Sequence, residues 1–280
     1  MPRINALNLL TEPSGKAYLA ELYARVIENV QKSMISSKLK NTDLSGDPTS
    51  GSVEAKRFAN AKSKAYGSAR TAGKGESVKE KPVVVVIDKD QEIVEELEEK
   101  DIRLYGVDGL LDRRAINHVT QMAAELETAF FTEGSTVATE VEIDDTAPIE
   151  DILEALIQEC ENTKNDYVNG VPRAMMHLSL SSNYYGKIRN ALDKQTRSNV
   201  DTGDEEFYVW HGVEVDSNIY LPTDCNALLQ VRGSVAQPVM ANQYTAEKIP
   251  LSEAYGVELF YHYGTKAVTP DLIFKAVPQT

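Results

Sequence analysis

Residues 108–132, DGLLDRRAINHVTQMAAELETAFFT, narrow what this chain can fold into more than any other stretch. The apolar side chains Leu111, Ala115, Val119, Met122, Leu126 and Phe130 recur every three or four positions, and Leu110, Ile116, Ala123 and Ala129 widen the stripe. Arg113, Arg114, Asn117, Gln121 and Glu125 fill the other side. That period predicts an amphipathic helix with one buried face. Asp108 stands where an N-cap belongs, and Gly134 with Ser135 ends the pattern. At about 1.5 Å per residue the rod spans roughly 37 Å, enough to act as a beam carrying separate pieces.

The flanking segments supply those pieces. Residues 1–13 read as irregular, and Leu19, Leu22, Tyr23, Val26, Ile27, Val30 and Met34 predict a helix over 16–35, docked outside its own segment. Residues 36–82 are rich in Gly, Ser, Ala, Thr and Lys, with few large apolar side chains. Such a stretch cannot offset the entropy of ordering with a core of its own, so it is either a linker or a long loop ordered by neighbours. PVVVVID at 82–88 reads as a strand, and 91–106 as a short acidic helix or a curved strand. Beyond the long helix the patterns predict a strand at 135–143, a helix at 149–161 and a turn at 165–170. A strand at 173–180 and a helix at 182–192 follow. Further strands are expected at 207–215, 226–233 and 257–264, with a last one at 266–277 broken by Pro270. No repeat is visible. The class is α+β.

Charge is distributed unevenly. The chain carries a net charge of −14, yet residues 32–81 hold eleven basic against five acidic side chains, which leaves −20 for the rest. From Asp88 to Asp101 eight acids then face two lysines. A basic arm on an acidic body fits a protein that binds copies of itself, or one with a nucleic-acid arm. No apolar run reaches the roughly 20 residues of a membrane span, and the N-terminus lacks a signal-peptide layout, so a cytosolic, membrane-free protein is expected. Cys160 and Cys225 stand far apart without metal-ligand spacing and read as reduced thiols.

Apparent motifs fail on context. Residues 67–75, GSARTAGKG, almost spell a phosphate-binding loop, but Gly75 occupies the Mg²⁺-ligand position and no strand precedes it. A flexible glycine-rich tip is the reading there. Asp201-Thr202-Gly203 matches the aspartic protease tripeptide but lacks a preceding apolar strand and a second copy, and reads as a turn. His118, His177, His211 and His262 show no HExxH, GxSxG or triad spacing and read as packed or surface histidines. No catalytic, cofactor or metal residue is assigned, and an enzyme is not expected.

The order of elements resembles one family. GSVEAKRFANAKSKAYGSARTAGKG followed by PVVVVIDKDQEIVEELEEKDI, then VDGLLDRRAINHVTQMAAELETAFF, is similar to the extended loop, its return strand and the spine helix of the major capsid proteins of tailed bacteriophages. That fold is shared with encapsulins and the floor domain of herpesvirus capsids. The resemblance implies an N-terminal arm at 1–36, an extended β-hairpin loop at 37–87 lying across the adjacent subunit, and a peripheral domain of 88–146 with 251–280. An axial domain at 147–250 would crowd the five-fold and six-fold axes. It implies self-assembly into pentamers and hexamers forming an icosahedral shell around double-stranded DNA, assembled in the host cytoplasm and carried in the virion. A portal is implied, and so is a separate scaffolding protein, since no long segment precedes the first helix here.

Within that picture Lys56, Arg57, Lys62, Lys64, Arg70 and Lys74 are the expected intersubunit contacts of the loop, and Glu92, Glu95, Glu96 and Glu99 the acidic docking surface. Some members of the family join subunits through a loop lysine and a distant asparagine; Lys56, Lys62 and Lys64 are present, but no partner is identifiable and no bond is predicted. The alternatives are an encapsulin-like compartment, a nucleic-acid-binding protein using 32–81 as its arm, and a nucleotide hydrolase using the 67–75 loop.

Overall fold

A computed structural model of the chain describes residues 6–61, 63, 65–67, 80–103, 105–144, 146–193 and 208–279. Five α-helices are found among them: α1 (Pro13–Ser33), a four-residue α2 (Glu99–Ile102), α3 (Gly106–Val137), α4 (Ile149–Asn162) and α5 (Ser182–Asp193). The long helix α3 has 32 residues and measures about 48 Å. It begins before Asp108 and runs through Gly134 and Ser135, where the periodicity predicts its end. Gly134 is helical and packs on the six-stranded sheet, where a Cβ would make ordinary contact with Leu228 and Gln230 at 3.4 and 3.5 Å.

Two sheets hang on this helix. A six-stranded sheet has the order β5 (Thr139–Ile143), β14 (Ile273–Pro278), β9 (Ala227–Val231), β6 (Met176–Leu180), β8 (Val213–Ser217), β7 (Val209–Trp210). One of its faces puts Leu178, Leu229, Val215 and Phe274 under α4 and α5. The other puts Leu228 and Ile273 against Phe130 and Phe131, in the C-terminal part of α3. A three-stranded antiparallel sheet, β11 (Val239–Lys248), β12 (Tyr255–Tyr263), β4 (Lys89–Leu97), covers the N-terminal part. There Tyr244, Val257, Leu259 and Leu97 meet Leu111, Ala115 and Met122 of α3 and Leu19, Leu22 and Val26 of α1. The first helix is thus docked outside its own segment, as its stripe predicts. Short β10 (Val235–Ala236) and β13 (Lys266–Ala267) pair nearby. Among the described residues no helix is long and apolar enough to cross a membrane.

Hydrogen bonding joins 251–280 to 88–146 twice, through β12 on β4 and through β14 parallel to β5, and β14 also runs antiparallel to β9 from 147–250, inside the six-stranded sheet. β11, from within 147–250, pairs with β12 in the three-stranded sheet. Both sheets are therefore built from strands distant in sequence, with α3 between them.

The segment after α1 is more ordered at its root than its composition implies. β1 (Leu44–Ser45), β2 (Ser52–Phe58) and β3 (Glu80–Val86) form an antiparallel sheet. The apolar partners come from elsewhere in the chain: Val53, Ala55 and Val85 pack with Ala236 and Val268, and Leu39 is buried beside Phe130 and Phe131. Counting the apolar residues of 36–82 alone misses these partners.

Phe130→Ala should cost about 3–5 kcal/mol in denaturant unfolding, because the side chain is fully buried between α3 and the six-stranded sheet. Ile116→Ala, on the outward side of the same helix and 69% exposed, should stay within about 0.5 kcal/mol.

Candidate intersubunit surfaces

The acidic stretch after the hairpin becomes a strand, and strand alternation sorts its carboxylates. Ile93, Glu95 and Leu97 face α3, while Asp90, Glu92, Val94 and Glu96 point to solvent. Opposite them on β12 stand His262, Phe260 and Glu258, and β11 adds Met240, Thr245 and Glu247. The outer face of the three-stranded sheet thus carries Asp90, Glu92, Glu96, Glu247 and Glu258. Nδ1 of His262 lies 2.6 Å from Asp90. Glu99 is exposed as well, in α2.

Glu95 belongs to a different environment. Its carboxylate accepts hydrogen bonds from Nε and Nη2 of Arg114 and lies 3.2 Å from Nε2 of buried His118. On its other side the imidazole Nδ1 is 2.6 Å from the hydroxyl of Tyr244, whose ring meets Tyr23 of α1 edge-on. Burial pushes His118 below the ordinary imidazole value. A neutral ring with its proton on Nε2 accepts from the Tyr244 hydroxyl at Nδ1 and turns Nε2 toward the Glu95 carboxylate, without hydrogen-bond geometry there. Burial pushes the Glu95 carboxyl up, but the hydrogen bond and charge of Arg114, with His118, outweigh it and hold the group low. Four elements meet in this chain, so Glu95 serves the interior of its own subunit. Sequence reasoning missed the separation because a strand and a helix were both open for 91–106.

The basic residues sort in the same way. Lys56 projects outward from β2, with Nζ 3.9 Å from Glu80 and both side chains more than a third exposed. Arg57 turns inward. Its guanidinium grips Asp271 through two hydrogen bonds of 2.5 and 2.8 Å and lies 4.4 Å from the centre of the Tyr167 ring. Burial pushes the Asp271 carboxyl up, and Arg57 pulls it further down, leaving it below the usual range. Arg57 therefore has its acidic partner in its own chain, 214 residues away, which no local pattern discloses. Lys62, Lys64, Arg70 and Lys74 lie outside the described residues, as does most of the 67–75 loop and all of Asp201-Thr202-Gly203.

An open groove of about 880 Å³ lies along α3 beside β4 and β12, lined in part by Lys89, Ile93, Glu125, Thr128, Thr132 and Tyr261. Glu125 accepts from the hydroxyls of Tyr261 and Tyr263 at 2.6 and 3.0 Å, so this carboxylate is held in place by the sheet.

One grouping mimics catalytic machinery. Nε2 of His177 is 2.9 Å from Asp216, and Oγ of Ser179 is 3.5 Å from Nδ1. Both His177 and Ser179 are wholly buried in the six-stranded sheet, so no substrate reaches the hydroxyl as placed. Among the described residues no three His, Cys, Asp or Glu side chains are grouped to hold a metal ion.

Glu95→Gln should destabilise the subunit by about 1–3 kcal/mol, whereas Glu92→Gln should change it by less than about 0.5 kcal/mol. The folded-state value of Glu95 is depressed, so its contribution is present above the ordinary carboxylate range and is lost as pH falls through the lowered value. Thermal unfolding across the acid range should therefore lose part of its pH dependence in Glu95→Gln and keep it in Glu92→Gln.

No protein-family model matches the chain, and no curated protein matches it in sequence. Solved structures do match in fold. A chain from the capsid structure of cyanophage P-SCSP1u is 12% identical and superposes with a TM-score of 0.66, covering 89% of each chain. A chain from Mycobacterium phage Che8 is 13% identical, with a TM-score of 0.61 over 81% of this chain and 84% of that one. The virus-like particle from Pyrococcus furiosus is 12% identical, with a TM-score of 0.59 over 92% and 99%. The chain has the capsid fold of tailed bacteriophages.

Proposed function

We propose that this protein is the major capsid protein of a tailed-phage-type particle, forming pentamers and hexamers that close into an icosahedral shell around double-stranded DNA. The observation that carries the reading is the match to a phage capsid chain over about nine-tenths of both chains, on a body whose outer sheet face is acidic and whose hairpin segment is basic. The role is structural. In this reading the six-stranded sheet with α4 and α5 is the axial domain, and α3 with the three-stranded sheet is the peripheral one. A scaffolding protein, a portal and the packaged DNA are the further partners, and the mature location is the virion, after assembly in the host cytoplasm.

The physical logic is one of repetition. A single exposed contact between Lys56 or its loop neighbours and Glu92, Glu96 or Glu99 of the next subunit is worth about 1 kcal/mol or less and is screened by salt. Closed symmetry repeats that contact at every subunit, so small terms accumulate into a stable shell while individual errors stay reversible. The −20 carried outside residues 32–81 also keeps the wall from adhering to packaged DNA.

A second reading, an encapsulin-like compartment with protein cargo, draws support from the virus-like particle of Pyrococcus furiosus, which this chain covers almost completely. The contents of the particle separate the two: nuclease-protected double-stranded DNA for the first, a co-purifying protein for the second.

Negative-stain microscopy and light scattering of the purified protein should find closed megadalton particles or their pentamers and hexamers. Glu92→Lys with Glu96→Lys should reduce particle yield while leaving subunit unfolding unchanged within about 0.5 kcal/mol. A protein that stays a small monomer or dimer in every condition, with its scaffold supplied, would refute the shell reading.

A further inference from the structure

We propose that the Arg57–Asp271 clamp sets the direction in which the basic hairpin leaves the body, making Arg57 a positioning residue for assembly and not an intersubunit contact. The inference rests on the shell reading and adds to it the element that aims the loop.

A two-stranded ribbon has little rigidity of its own, and β1 contributes only two residues to stiffen it. Its direction must come from where it touches the body, and those contacts fall into two groups. The first lies at the base. The backbone of Val86 passes so close to Gly264 that a Cβ on that glycine would lie 1.9 Å from the Val86 carbonyl oxygen. Val53, Ala55 and Val85 sit beside it on Ala236 and Val268, and the Ile87 amide donates to Gly51. This group is small and apolar. It forms a pivot, because dispersion contacts between small side chains have no preferred direction.

The second group lies farther out along β2. Arg57 is four residues beyond Val53, about 13 Å along a strand. Two attachment points that far apart define an axis where one would leave a hinge. The outer point is directional: the guanidinium fork meets both oxygens of Asp271, its face covers Tyr167, and Arg57 is only 12% exposed. The anchors are themselves rigid. Asp271 sits in the turn Pro270–Leu272 that leads into buried Ile273, and it takes a further hydrogen bond from Asn165 at 2.5 Å. Asn165 is fixed in turn by accepting from the amides of Tyr167 and Val168. The Asn60 amide donates to the Asp166 carbonyl, so the chain is held once more just past the clamp.

The described strands β2 and β3 share the angle set here, and with them the exposed Lys56 and Lys81. Shell curvature depends on the angle at which each subunit reaches its neighbour. A loosened clamp leaves the loop's charges intact and spoils their aim.

The test compares the unchanged protein with Arg57→Met, which keeps an apolar stem over Tyr167, and with Asp271→Asn. Amide hydrogen exchange on unassembled subunits should become about tenfold faster in residues 52–58 and 80–86 of both variants, with 176–180 and 227–231 unchanged. Electron microscopy should then find shells of mixed diameter or open sheets where the unchanged protein gives one diameter. Arg57→Lys, which restores the charge without the fork, should fall between. If Arg57→Met assembles into the same uniform particles as the unchanged protein, the clamp does not aim the loop and the inference fails while the shell reading stands. If the variants lose the central strands' protection as well, Arg57 acts on general stability and the inference is equally overturned. Failure of the unchanged protein to assemble strikes the shell reading itself.

Discussion

The burial of one helix against two different sheets is the constraint on which the rest of the structure depends. Up to Leu126 the stripe of α3 faces α1 and the three-stranded sheet; from Phe130 it faces the six-stranded sheet. Neither sheet could keep its inner face dry without the rod, since each supplies only one side of its own core. A rigid rod of about 48 Å also transmits orientation, so the outer sheet and the central sheet cannot move independently of it. The helix is long because it has two partners to cover.

Between its two apolar stretches the helix carries a buried acid, and this is where the chain leaving α1 crosses it. Glu127, 1% exposed, accepts from the amide and the hydroxyl of Ser36 at 2.9 and 2.6 Å. Burial pushes its carboxyl up against the opposing pull of those bonds. Gln237 donates to the Leu126 carbonyl one residue away, and Asn41 is tied to the backbone of Val235 and Gly233. A buried acid contributes little net stability, and its value lies in register: Oε1 of Glu127 takes both Ser36 bonds and so fixes where residues 36–41 cross the helix. The hairpin therefore starts from a defined point before the Arg57 clamp defines its direction.

What could be read from the sequence follows the physics of each signal. The helices were legible because a 3.6-residue period sustained over many residues matches the turn of a helix and no strand, and α1, α3 and α4 all appear where Leu22, Leu111 and Leu153 predict them. The end of α3 was not, because Gly134 reads as a stop when its packing partner, Leu228, is unknown. β11 went unrecognised: VMANQYTAEK has a polar middle, and its register shifts between Ala241 and Tyr244, so alternation is broken there. The in-chain partners of Arg57 and Glu95 were not legible for a related reason. Charge composition locates a basic segment and an acidic one, but strand alternation decides which side chains face inward, and the inward ones find partners within the chain.

That sorting explains how a chain with so much complementary charge avoids collapsing onto itself. Arg57 is held by Asp271, Arg114 by Glu95, and Arg173 by Glu154 and Glu161, each pair placed between elements of the body. The charges facing inward are satisfied in cis and stay so at any protein concentration. Lys56 on the hairpin and Glu92 and Glu96 on the outer sheet face solvent from elements whose directions are fixed by the clamp and by α3. Rigid mounting keeps Lys56 from folding back onto that sheet, and in the proposed shell the attraction between the two is left to a second copy. In the shell proposed above each such contact is exposed and screened, so association there rests on many being made together in one closed arrangement.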